Sequence, residues 1–440
     1  MHRRQFLAAQ FGLAASIPLL GDQEPRALEV TDPRATSRDP IEPKWEAGNI
    51  VTVGPHKADV VGTDQKAIQA AVDYVARLGA GTVRILPGTY RMRNAVFMRS
   101  HVRIVGSGLD SILIKEPSVK TRLAADSDWY EQEVTLANSK GFEVGDGIYL
   151  HAQGRGDGSF DMHKRTIVAR SGNRFKLDRM LVGDFWLERE ATASTLFALF
   201  DGMHVSDIAI ENLVLDGNRT NNEFLNGNFI GCIFLRESNR IQIRGVTARN
   251  FNGDAMSWQV CHDVRVEDCH SHDSAGYGMH AGSGSQRSVA VRNRLERNDI
   301  GFFFCWGVRW SVCESNTILD NRRFGVSIGH KDTDNLIRKN EIQRSGKVGV
   351  LFRQENGPAF SPNRNRLEDN RILDSGSEDG IAVKLEGQTH SVGIARNEIR
   401  ETRGSANRIG VKIEPETKDI RLAENRIDGF AQAVVDLRKA

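Results

Sequence analysis

Six asparagines recur along the second half of the chain. Setting VRNRLERNDIGFFF, CESNTILDNRRFGVSI, IRKNEIQRSGKVGVLF, LEDNRILDSGSEDGIAV, IARNEIRETRGSANRIGVKI and LAENRIDGF beneath one another aligns Asn293, Asn316, Asn340, Asn370, Asn397 and Asn425. The spacing is 23 to 30 residues, and an apolar residue follows each Asn two positions later, then a turn, a glycine and a short alternating strand. A unit of that size cannot bury its apolar face alone, so it must stack on copies of itself, which predicts an all-β solenoid of parallel strands. The L-x-x-L-x-L frame of leucine-rich repeats is absent. An Asn at one point of every coil can hydrogen-bond turn backbone that lacks a strand partner, so these residues are read as structural.

Run backwards, the frame takes in IQIRGVTARNFNGDAMSW and VRVEDCHSHDSAGYGMHA, and more loosely IAIENLVLDG. Coils are expected over residues 201–440, about nine of them, with two or three more between residues 82 and 116. Residues 118–200 break the period; VTLANSKGFEVGDGIYLH and RTIVARSGNRFKLDRMLVGDFW read as strands of a small β-rich insertion protruding from one face, placed to wall a groove. Within residues 51–117, Ile68, Ala71, Val72, Val75 and Leu78 fall at helical spacing behind Thr63 as N-cap, with Gly79 and Gly81 ending the helix before the strand TVRIL. This helix-then-coil pattern resembles the pectate-lyase-like superfamily of right-handed parallel β-helix proteins. The resemblance implies that the helix caps the open end of the coil, and that the chain acts on a polysaccharide as lyase, hydrolase or epimerase. It covers residues 58–440 but is architectural. The NTD, DD and RIK motifs of polygalacturonases, the RxPxxR of pectate lyases and the DPHE of alginate epimerases are absent, so no catalytic residue carries over.

Residues 1–21, MHRRQFLAAQFGLAASIPLLG, combine a basic start with an apolar run too short for a membrane span. Arg3, Arg4, Phe6 and Leu7 resemble a twin-arginine export signal, with His2 where Ser or Thr is usual; a periplasmic or secreted location follows, with no membrane span after signal removal. Residues 22–50, rich in Pro, Asp and Glu, read as a linker. A net charge of +2 without a basic run argues against nucleic acid. Cys232, Cys261, Cys269, Cys305 and Cys313 are odd in number and lack CxxC or CxxxxC spacing, so they are read as buried apolar residues rather than disulfides or zinc ligands.

Aligning the glycine-led strands DAMSWQVC, YGMHAGSG, IGFFFCWG, FGVSIGHK, VGVLFRQE and DGIAVKLE points Met256, Met279, Phe302, Val326, Val350 and Ile381 inward. The alternate positions then form an outer face carrying Ser257, His280, Phe303, Ser327, Leu351 and Ala382, and the following positions carry Gln259, Cys305, Trp306, His330, Lys331, Arg353, Glu355, Lys384 and Glu386. A charged wall flanked by Tyr277, Phe303 and Trp306 suits an extended sugar chain, with Gln259 and Lys384 as further contacts; a capped solenoid of this kind can work as a monomer. A lyase needs a base and a carboxylate clamp, which His330 or Lys331 and Arg353 could supply. A hydrolase needs two carboxyl groups about 5–9.5 Å apart, for which Asp332 and Glu355 are the candidates. His280 with Asp254 forms a second acid/base centre. A non-catalytic carbohydrate-binding solenoid is the third alternative. No cofactor is assigned; a divalent cation such as calcium is left open by Asp332 and Asp334 in GHKDTDN, and a transition metal by His270, His272 and Asp273, whose other reading is scaffold.

Overall fold

In the computed structural model, which describes residues 48–154, 160–376, 380–404 and 407–439, each coil turns three corners, and all three are built alike. A residue with left-handed backbone, such as Arg292, Arg287 or Arg297 (φ 54–56°), makes the bend, and the next residue turns its side chain inward. At one corner that inward residue is the repeated Asn. Asn293, Asn316, Asn340, Asn370 and Asn397 each donate through Nδ2 to the next Asn Oδ1 at 2.9 Å, ending at Asn425. At the other corners the backbone N–H groups of Ser311, Asn335 and Asn298 donate to Oδ1 of Asn335, Asn365 and Asn321 on the next coil. The left-handed residues point outward and stack as well. Arg287 on Asp263, Arg292 on Asp268, Arg297 on Asp273, Arg344 on Asp320 and Arg364 on Asp334 form two-pronged ion pairs between neighbouring coils. The corners therefore tie the coils together on both sides of the wall.

Between corners run three parallel sheets of 13, 11 and 11 strands among the described residues. The first begins with Val60–Val61 and Asn49–Gly54 and ends with Lys418–Ala423; the second runs from Gly88–Met92 to Arg426–Asp428, and the third from Val96–Phe97 to Gln432–Asp436. Inward side chains make one continuous core from Val53 to Ile420. All five cysteines are buried within the wall and core, and free. Helix Gln65–Arg77 lays Ile68, Ala71, Val72 and Val75 on the first coil, extending that core over its open end.

Several expectations need correction. The N-cap is Asp64, whose carboxylate accepts from the Lys66 and Ala67 N–H groups at 3.0 Å, rather than Thr63. Leu78 ends the helix half exposed. Two strands precede the helix, and the first starts at Asn49, inside the stretch expected as linker. The export signal and the linker up to residue 47 lie outside the described residues. In the last aligned strand the register moves by two, so Val383, not Ile381, stands opposite Val350, and Lys384 stands opposite Leu351. A move of two keeps the inside–outside parity, which is why the alternation alone did not reveal it.

The chain leaves the solenoid after Ser111–Lys115 and returns at Phe200–Met203, and between them builds a six-stranded antiparallel sheet within Lys120–Ser194. This unit has its own core of Leu136, Ile148, Leu150, Ile167, Phe175 and Phe185. At its root the buried Lys115 ammonium donates to the carbonyls of Glu116 and Thr195 and to Asn222 Oδ1 at 2.6–3.1 Å. The strand Phe160–Ser171 leans over the third sheet, where Lys164 meets Asp201 at 2.5 Å and Phe160 meets the ring of Phe229. No helix among the described residues is long and apolar enough to cross a membrane.

Candidate functional site

The outer face of the third sheet holds one band of interacting side chains, organised around Phe303. Its centre is a hydrogen-bonded chain with a definite direction. Ser257 Oγ donates to the Gly227 carbonyl at 2.7 Å and accepts from Gln259 Nε2 at 2.9 Å. The same amide faces His280 Nε2 at 3.5 Å, and His280 Nδ1 lies 2.7 Å from Asp254 Oδ2. Asp254 Oδ1 accepts the Tyr277 N–H at 2.8 Å. An amide donor on one nitrogen and a carboxylate on the other assign the proton to Nδ1 and leave the Nε2 lone pair as the basic site. Two glycines make room for the carboxylate: a Cβ at Gly227 would stand 1.6 Å from Asp254 Oδ2, and one at Gly276 would stand 2.1 Å from Oδ1.

Above His280 lie the rings of Tyr277 and Phe303, at centroid distances of 5.4 and 5.1 Å, with 4.3 Å between each other. They leave His280 1% exposed. Burial pushes the Tyr277 hydroxyl up to about 12, so it stays protonated at neutral pH. Arg323, paired with Asp299, lies within reach of that hydroxyl.

The Arg353 guanidinium lies 4.5 Å over the Phe303 ring, fixed by bonds to Ser327 Oγ at 2.8 Å and the Phe304 carbonyl at 2.9 Å. From Arg353 the band continues to Glu355 at 3.7 Å, and from Glu355 to His330 Nδ1 at 3.3 Å. His330 is sandwiched between Trp306 (4.8 Å, 26° between planes) and Phe360 (5.0 Å). Trp306 is 63% exposed and holds the left-handed backbone of a corner at φ 65°, so the chain presents a large ring to water there. Two centres that the sequence left separate are therefore joined through Phe303 and Arg353.

Other candidates are buried or engaged elsewhere. Asp332 is wholly buried, and its oxygens accept the N–H groups of Gly307, Val308 and Gly329 at 2.8–3.0 Å. Burial raises its pKa to about 6, against the pull of Arg353 at 3.6 Å. It closes a corner and does not stand beside Glu355 as an open carboxylate. Lys331 turns its ammonium over the Phe360 ring at 4.5 Å. Gln259 is buried as part of the His280 chain rather than presented to a ligand. Lys384 is drawn to Glu386 at 2.5 Å. Asp334 is held by Arg364. His270 and His272 lie on the second sheet with rings 4.3 Å apart, His270 on Glu296 at 3.0 Å and His272 on Asp273 at 2.6 Å. Among the described residues no group of three His, Cys, Asp or Glu is arranged to hold a metal ion. Ser327 was placed on the outer face but given no role, whereas Phe360 and Arg323 were missed; Phe360 sits in a loop outside the repeat, where no periodicity pointed to it.

A family model described as the right-handed beta helix region matches residues 301–437. The structure matches the A-module of mannuronan C-5 epimerase AlgE4 from Azotobacter vinelandii with a TM-score of 0.53 at 15% identity, covering 86% of this chain and 94% of that one. The fold is a right-handed parallel β-helix. Lower scores relate it to PfbA, a surface adhesin of Streptococcus pneumoniae (TM-score 0.47, 14% identity, 83% and 88% covered), and to the tailspike protein gp49 of Pseudomonas phage LKA1 (0.32, 14%, 84% and 76%). No curated protein matches the sequence.

Proposed function

We propose that the chain binds an acidic polysaccharide along the outer face of the third sheet and cleaves it by β-elimination, with His280 as the base. One observation carries this: Asp254 fixes His280 so that Nε2 is the acceptor, in a water-poor pocket beside a protonated Tyr277 and across one ring from Arg353. The base takes the proton α to a uronate carboxylate, the electron pair forms the ring double bond as the bond to the leaving oxygen breaks, and Tyr277 returns a proton to that oxygen. Arg353 and Arg323 are the cations near enough to favour the carboxylate as charge builds on it. The Trp306–His330–Phe360 stack offers ring faces for neighbouring sugars. The fold shared with a mannuronan C-5 epimerase module fits a polysaccharide ligand.

Turnover requires the Tyr277–Phe303 pair to part and the Gln259 amide to release Nε2, because His280 is 1% exposed and its lone pair faces that amide. The same burial favours a second reading, a non-catalytic polysaccharide-binding solenoid. Incubation with uronate and neutral polysaccharides, with calcium present or chelated, separates them. Ultraviolet absorbance of unsaturated uronate, lost in His280→Ala and Asp254→Asn, supports elimination; saturable binding without absorbance or new reducing ends supports the holder; reducing ends without absorbance refute both. Residues 1–21 are proposed to direct twin-arginine export, and retention of an Arg3→Lys/Arg4→Lys variant in the cytoplasm tests it.

A further inference from the structure

A cleft of about 380 Å³ opens where the insertion strands Gly147–Gln153 and Phe160–Ser171 cross the first strands of the third sheet, and no residue of the band above lines it. Phe97, Met98, Leu196 and Phe197 supply an apolar floor, and the exposed Met203 an apolar lip. Its charged lining is unequal: Arg99, Lys164, Arg165 and Arg179 against Asp178 and Asp201. Three of the cations have a carboxylate of their own. Lys164 pairs with Asp201 at 2.5 Å, Arg179 with Asp178 at 3.3 Å, and Arg99 with Asp73, outside the cleft, at 2.8 Å. Arg165 differs. Its guanidinium meets the carbonyls of Lys164, Arg179 and Met180 at 2.6–3.3 Å and the ring of His163 at 3.3 Å, and among the described residues no carboxylate within 4 Å, with Asp178 attracting it from farther off. Carbonyl dipoles fix its orientation without cancelling its charge, and partial burial leaves that charge weakly hydrated. A preoriented guanidinium with no carboxylate bonded to it, over an apolar floor, recognises an anion carried on an apolar body.

We propose that this cleft is a second carbohydrate site, which takes a carboxylate- or sulfate-bearing sugar residue, with Arg165 and Arg179 on the anion and Phe97 and Met203 against the ring. The proposal rests on the acidic-polysaccharide reading above and gives the insertion a role in it. Asp201 is three strands from His280 along the third sheet, roughly 14 Å at the usual strand spacing. One extended chain spans that distance, so the site would hold the polymer on the N-terminal side of the dyad.

Calorimetric titration of the full chain with short uronate, sulfated neutral-backbone and uncharged oligosaccharides tests this, in wild type and in a His280→Ala background. Arg179→Gln, at a largely exposed side chain, and Arg165→Gln should each weaken anionic ligands about tenfold, with the uncharged one unmoved and a steeper salt dependence in wild type. The tighter of the two anionic probes identifies the group. Equal affinity in a folded Arg165→Gln/Arg179→Gln variant, or no anionic binding by wild type, overturns the cleft site. Arginine-dependent binding without turnover on any polymer leaves the cleft standing and refutes elimination.

Discussion

Replacing Asn340 by Ala removes one rung from the middle of the asparagine ladder, and its cost can be worked from the bonds that vanish. Asn340 Oδ1 accepts the Asn316 N–H at 2.9 Å and the Asn316 Nδ2 at 2.9 Å; its own Nδ2 donates to the Cys313 carbonyl at 2.8 Å and to Asn370 Oδ1 at 2.9 Å. Asn316 Nδ2 keeps the Ala290 carbonyl, and Asn370 Oδ1 keeps the Asn340 N–H. The Asn316 N–H and the Cys313 carbonyl lose a partner in a 1% exposed setting. At about 1–3 kcal/mol for each buried group left unsatisfied, the loss is roughly 2–6 kcal/mol. At about 2 °C per kcal/mol for a large domain, the melting midpoint should fall by roughly 4–12 °C. Asn425 is the internal control. It ends the ladder in a half-buried position where water can replace it, so Asn425→Ala should cost less than half as much. Thermal melts followed by circular dichroism measure both. A drop of under about 1 °C for Asn340→Ala, or equal drops for the two variants, would show that the ladder is not what holds the corners.

Trp306→Ala should weaken oligosaccharide binding about tenfold, consistent with loss of roughly 1–1.5 kcal/mol of ring contact, and leave the melt unchanged because the side chain is mostly exposed. Gly227→Ala should expel the Asp254 carboxylate, and the check is loss of the downfield His280 Nδ1–H proton signal together with activity. Lys115→Met should leave the Glu116 and Thr195 carbonyls and Asn222 Oδ1 without their donor, and limited proteolysis should cut faster at the root of the insertion. His163 is held neutral, its pKa lowered from 6.5 to about 4 by burial first and by Arg165 next. Because the folded-state value is depressed, its contribution is present above pH 6.5 and is lost as pH falls through about 4. Wild type should therefore lose melting temperature between pH 7 and pH 4 more steeply than His163→Gln; parallel curves would rule this out.

Much of the molecule follows from local pattern. The Asn period, the alternation of inward residues and the amphipathic stretch from Ile68 to Val75 determine a capped parallel solenoid by themselves, because each expresses a short-range rule repeated from coil to coil. His280 and Asp254 were legible as a pair for the same reason, since coil spacing places them one step apart. What the pattern could not decide is exposure at the corners. Asp332 and Glu355 look alike as carboxylates in a polar stretch, yet three backbone N–H groups draw Asp332 wholly inside. That outcome depends on how neighbouring corners stack. Nor does parity report a register shift of two, so Lys384 came to light in its column only through strand pairing. The insertion is the extreme case. Its strands could be guessed, but the cleft arises where a hairpin from outside the repeat meets the first strands of the third sheet, a contact between segments about 70 residues apart that no periodicity encodes. The chain alone specifies the coil and its core; only the packing of corners, loops and insertion on that coil specifies which polar groups meet a ligand.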